Sequence, residues 1–130
     1  MAKTVLIVDD DADICQLLSL MLTMSGYQPL VALDGLDAWQ QIQQAPPDLI
    51  ILDVMMPRMD GLTLCKKLRR EADTADLPVI MLSGKAHPEA IEEGLRAGAD
   101  CYLTKPMEMK ELRQEMGTLL ERRAQRQLEV

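Results

Sequence analysis

The sequence predicts an α/β domain built on a five-stranded parallel sheet with helices on both faces. Short apolar runs of strand length recur along the chain, and each is followed by a stretch whose apolar residues fall at helical spacings of three and four. The central run, Leu49 to Leu52, lacks polar alternation, as expected of a strand buried on both sides. Connections are short and marked by Gly, Pro and Asp, which suits strand and helix units joined by right-handed crossovers.

The first strand is expected over Thr4 to Val8 and ends in Asp9, Asp10 and Asp11. The helix after it carries Ile14, Leu17, Leu18, Met21 and Leu22 on one side, with Gly26 placed to close it. Gln28 to Leu33 reads as a weaker strand, and Asp34 can cap a helix bearing Leu36, Trp39 and Ile42. Pro46 and Pro47 separate that helix from the central strand, which delivers Asp53 to its carboxyl end. Pro57 then stops the run, and Asp60 with Gly61 offers a cap and a turn for a helix lined by Leu62, Cys65 and Leu68. A fourth strand is expected over Leu77 to Leu82, ending at Ser83. Pro88 starts a helix with Ile91 and Leu95 that closes at Gly98. Ala99 to Leu103 supplies the fifth strand, Lys105-Pro106 follows, and the last helix turns Leu112, Met116, Leu119 and Leu120 to one side. Beyond Glu121 the apolar stripe fades, which reads as a solvated helix end rather than the start of a coiled coil.

Composition excludes several classes. A chain of 130 residues, 48% hydrophobic and 27% charged, is one domain with a real core, and that core is aliphatic because Phe is absent and ten Met residues share the volume. A net charge of −7 argues against direct gripping of nucleic-acid phosphates. Cys15, Cys65 and Cys101 are odd in number, widely spaced and set in apolar segments, so they read as reduced buried residues. His87 is the only histidine, stands before Pro88, and fits a solvent-facing or capping role better than zinc ligation. No apolar run approaches membrane length, so a cytoplasmic location is expected.

Strand ends carry the chemistry. Asp9 and Asp10, Asp53, Ser83 and Lys105 all fall on the carboxyl edge of the sheet, where open α/β sheets bind ligands. Crowded carboxylates raise one another's pKa unless a cation neutralises them, so this cluster calls for a hard divalent ion, Mg²⁺ or Mn²⁺. Such an ion keeps part of its shell for a phosphate oxygen. An aspartate can then act as nucleophile towards phosphorus while the metal, a Lys and a hydroxyl share the charge of the equatorial oxygens.

Taken jointly, Asp9-Asp10, Asp53 in LDVMMPRMDG, Ser83 after PVIML and Lys105-Pro106 resemble the receiver domain of bacterial two-component response regulators, of the chemotaxis-regulator-like kind. The likeness runs from about Thr4 to Arg122. It implies a flavodoxin-like fold, with residues 1–123 as the receiver and 124–130 as a C-terminal tail or linker. It implies Asp53 as phosphoacceptor, with Lys105 pairing the phosphoryl oxygens. Asp10 and Asp53 would hold Mg²⁺ with the Met55 backbone carbonyl, and Asp9 through water. Ser83 would bond the phosphoryl group and so open space for the switch aromatic, Tyr102. A cis Lys105-Pro106 bond is also implied. The implied partners are a sensor histidine kinase or phosphotransfer protein, and a downstream output domain or target protein, with phosphorylation-dependent homodimers also within the family's range. No direct nucleic acid or membrane partner is expected. The protein would be a signalling phosphoacceptor that assists its own phosphorylation and dephosphorylation, not an enzyme.

Met107 departs from the Phe of many relatives, which loosens packing. Met55 and Lys85 occupy loop positions that, as the resemblance implies, tune loss of the phosphoryl group in this family. The rival enzyme is a haloacid-dehalogenase-like phosphatase with Asp9 as nucleophile, but it leaves Asp53 unused and lacks a late acidic motif. Binding of a flavin phosphate conflicts with three aspartates after the first strand. An interaction module without phosphorylation chemistry would have no need of all five site residues.

Overall fold

The computed structural model describes residues 2–128. Strands and helices alternate throughout: β1 (Thr4–Val8), α1 (Ala12–Met24), β2 (Gln28–Ala32), α2 (Gly35–Gln44), β3 (Leu49–Leu52), α3 (Gly61–Arg70), β4 (Val79–Ser83), α4 (Pro88–Arg96), β5 (Cys101–Thr104) and α5 (Met109–Leu128). The sheet order is β2-β1-β3-β4-β5, and every neighbouring pair is parallel.

Alternation of side chains along each strand divides the core in two. Leu6, Val8, Ile50, Leu52, Val79 and Met81 face one side, against Ala38 and Ile42 of α2 and Leu64, Cys65 and Leu68 of α3. Val5, Ile7, Leu49, Ile51, Ile80 and Leu82 face the other, against Leu18 and Leu22 of α1 and Leu112, Met116 and Leu119 of α5. The absence of polar alternation in Leu49–Leu52 therefore reflects helices on both faces, and all four residues are buried. Among the described residues no helix is long and apolar enough to cross a membrane.

Capping follows the sequence closely. Asp34 accepts from the Asp37 N–H at 2.8 Å, and Asp60 from the Thr63 N–H at 2.8 Å. Gly26 and Gly98 close α1 and α4 with φ of 90° and 116°. His87 is the N-cap of α4 through its backbone carbonyl, its imidazole making no capping bond.

Strand ends differ from expectation by a residue or two. β2 stops at Ala32 instead of Leu33. β4 begins at Val79 instead of Leu77, because Pro78 has no N–H for the ladder and the Leu77 N–H is used in a turn to the Thr74 carbonyl. β5 begins at Cys101, since the Ala99 N–H bonds the Gly94 carbonyl at the end of α4, and it reaches Thr104. Lys105-Pro106 is cis, as expected. α5 continues as helix through residues 124–128, so the expected start of a tail carries no break in structure.

Candidate functional site

The reversal of strand order lies between β1 and β3, and crevices at such points are where doubly wound sheets bind ligands. Register brings the acidic residues there. Val8 pairs with Leu52, so Asp9 and Asp53 leave the sheet side by side, and the Asp53 N–H donates to the Val8 carbonyl at 2.9 Å. Close approach of the β3–α3 loop is made possible by Gly61, where a Cβ would collide with the Asp53 carbonyl oxygen.

The three consecutive aspartates separate by role. Asp11 faces away as the N-cap of α1, accepting from Asp13 and Ile14 N–H groups at 3.0 and 3.3 Å. Asp9 is only 4% exposed; its Oδ1 accepts from the Asp11 N–H at 2.9 Å and its Oδ2 from Lys105 Nζ at 2.7 Å. Asp10 is exposed and borders a cleft with Val54, Met55, Pro57 and Lys85. One oxygen from each of Asp9, Asp10 and Asp53 lies within 4.8 Å of the others.

Lys105 closes the fourth side. Its Nζ is 3.7 Å from Asp53 Oδ2, and its backbone N–H is fixed to the Ser83 carbonyl at 2.9 Å. Burial pushes the Asp53 carboxyl above its ordinary value, the Lys105 charge opposes this, and the Asp9 charge adds to it. Burial works against the charge on Lys105, but its bond to Asp9 and the Asp53 and Asp9 charges prevail and raise its pKa. Three carboxylates facing one ammonium leave an excess of negative charge and an all-oxygen donor set, which fits a small hard divalent cation.

Ser83 and Tyr102 meet on a residue that the sequence had marked only for its side chain. Ser83 is buried, and its Oγ accepts from the Lys85 N–H at 3.3 Å. The Tyr102 hydroxyl donates to the Lys85 carbonyl at 2.8 Å, so both hold the β4–α4 loop at one residue, through the two peptide groups that flank it. Met55, 59% exposed, lines the cleft. The cysteines are free thiols; Cys15 and Cys65 are buried and Cys101 is half-buried, with desolvation pushing Cys101 up to about 12. Sequence reasoning missed one contact near the site, the pair between Arg58 and Asp34. Asp34 was legible as a cap, but nothing in the run PRMDG marks Arg58 as its partner.

Fold and crevice together define a class: a doubly wound α/β domain carrying an acidic pocket at the switch point of a parallel sheet. Residues 5–117 match the family model of the response regulator receiver domain, and the chain belongs to that family. It is 43% identical over 118 residues to the DNA-binding dual master transcriptional regulator RpaA of Synechocystis, covering 91% of this chain and 49% of that protein. The chain thus spans about half the length of the curated relatives it matches. The Francisella response regulator 1452 receiver domain superposes with a TM-score of 0.86 at 38% identity, covering 92% of this chain and 98% of that one. Vibrio cholerae chemotaxis protein CheY4 gives 0.85 at 34% identity, over 92% and 99% of the two chains. The fold is therefore flavodoxin-like, and phosphorylation with Mg²⁺ binding is general to this family. The phosphatase reading based on Asp9 finds no support. That carboxylate is buried and already engaged at both oxygens.

Proposed function

We propose that Asp53 is the phosphoacceptor of this receiver, taking its phosphoryl group from the phosphohistidine of a sensor kinase or phosphotransfer protein. The observation that carries this is the convergence of Asp9, Asp10 and Asp53 at the switch point, with Lys105 paired to Asp9 and close to Asp53. Asp10 and Asp53, with the Met55 carbonyl, would hold Mg²⁺ or Mn²⁺ directly, and Asp9 would do so through water. When bound, the ion supplies positive charge to the phosphoryl oxygens.

An Asp53 oxygen attacks phosphorus in line; the new O–P bond forms as the N–P bond to imidazole breaks, and the imidazole takes a proton from solvent. Lys105, whose Nζ sits between Asp9 and Asp53, balances the charge of the incoming oxygens. Ser83 Oγ leaves the Lys85 N–H to donate to the phosphoryl group, which loosens the residue whose carbonyl Tyr102 holds. Output then follows as a population shift of the face formed by α4, β5 and α5, towards an attached output domain or a separate target. On this reading the protein is a signalling phosphoacceptor in the cytoplasm, residues 1–123 are the working domain and 124–130 a tail or linker. RpaA is named as DNA-binding, and its greater length leaves room for such an output region beyond the part matched here.

The test is transfer from a phosphohistidine donor, followed by intact mass. One added phosphoryl group with Mg²⁺ present and none with excess chelator is expected. Equal transfer without a divalent ion would contradict the acidic pocket as the site.

A further inference from the structure

The loop between β3 and α3 carries the Asp53 backbone, Met55 and Pro57, and its attachments show what keeps it in place. Gly61 packs its backbone on the Asp53 carbonyl at one end. In the middle, a Cβ on Gly35, the first residue of α2, would collide with the Met59 carbonyl oxygen, so the loop and the start of α2 meet backbone to backbone. Beside that contact Arg58 has φ 66°, the one positive value on a non-glycine residue among the described residues. Glycine or asparagine ordinarily fills such a position. Here the guanidinium is used: Nε and Nη2 donate to Asp34 Oδ2 at 2.8 and 2.6 Å, while Asp34 Oδ1 caps α2.

We propose that Arg58 is a positioning residue for the acidic pocket, tying the β3–α3 loop to the N-terminus of α2 through Asp34 and so holding the backbone after Asp53 ready for the divalent ion and the phosphoryl group. This rests on the receiver chemistry proposed above. Neither residue touches the ion or the phosphoryl group; the effect passes through the loop. Arg58 lies in the loop between Asp53 and Gly61, and Gly61 packs on the Asp53 carbonyl, so a loop released at Arg58 relaxes at the pocket. Groups that orient ligands without touching the metal commonly change affinity by an order of magnitude or more.

Arg58→Gly is the decisive variant because glycine accepts φ 66° without strain while the side-chain anchor is lost. Asp34→Asn keeps an oxygen for the α2 cap and removes the charge partner. Both should fold, with melting temperatures within a few degrees of the native chain, since the Arg58 end of the pair is exposed and Asp34→Asn keeps the cap. Calorimetric titration with MgCl₂ should show affinity lowered about three- to tenfold in each variant. The double variant should be no weaker than the singles, as expected of one shared interaction. Phosphorylation by acetyl phosphate should be slowed at limiting Mg²⁺ and restored at saturating Mg²⁺, a split that a purely structural pair would not produce. Native Mg²⁺ affinity in Arg58→Gly, or simple additivity in the double variant, overturns the proposal. A native chain that neither binds Mg²⁺ nor is phosphorylated overturns the receiver chemistry itself, a distinct result because no substitution is involved.

Discussion

Asp53 is held in a balance that a metal-free experiment can read. Its folded pKa lies above the ordinary carboxylate value of 3.8, because burial and the Asp9 charge outweigh Lys105. The folded state therefore binds more protons than the unfolded chain just above that pH, and stability falls as pH rises through the window. Asp53→Asn should raise the melting temperature of the metal-free protein at pH 7, with the gain disappearing below about pH 3.8. Adding Mg²⁺ should stabilise the native chain and leave the variant unmoved. A variant less stable than the native chain at pH 7 would mean that Lys105 dominates. Met55 supports a second expectation. Loss of the phosphoryl group needs a water in line with the scissile bond, and a thioether cannot orient it, so Met55→Asn should shorten the lifetime after the donor is removed. Equal decay would show that Met55 does not control the water. At this scale the strand-end residues were legible, because an Asp, Ser or Lys ending an apolar run has a definite place. The separation of Asp9, Asp10 and Asp11 into ammonium partner, exposed carboxylate and helix cap was not, because it depends on how the chain turns into α1.

Helix α4 and helix α5 each contain a glycine whose surroundings differ, and substitution should have opposite effects. At Gly94 a Cβ would lie 2.7 Å from Tyr102 Cδ2 and 2.8 Å from Met81 Sδ. At Gly117 nothing lies within 4 Å. Gly117→Ala should stabilise by about 0.5–1 kcal/mol through helix propensity. Gly94→Ala should destabilise by about 1–3 kcal/mol through overpacking, measured by urea unfolding. Pairing Gly94→Ala with Tyr102→Ala should recover part of the loss; no recovery would place the clash elsewhere. Element order and caps were legible from periodicity and from Asp, Gly and Pro. The edges of β4 and β5 were not, because the Leu77 and Ala99 N–H groups are taken by neighbouring turns despite their apolar side chains.

For the whole molecule, the parallel sheet fixes which edge carries chemistry and which helices border it. Ser83 and Tyr102 both hold the backbone of Lys85, one by its N–H and the other by its carbonyl, so a phosphoryl group at Asp53 should loosen the structure along α4 and β5. Amide exchange with a phosphoryl mimic should change protection between Gly84 and Glu111; a change confined to the surroundings of Asp53 would refute this coupling. The identity of the phosphoacceptor is tested most directly by incubating the chain with acetyl phosphate and Mg²⁺, trapping the acyl phosphate with borohydride and locating the resulting homoserine by peptide mass spectrometry. Homoserine at residue 53, with labelling lost in Asp53→Asn and retained in Asp9→Asn, is the expected result. Homoserine at residue 9, or labelling that survives Asp53→Asn, would contradict it.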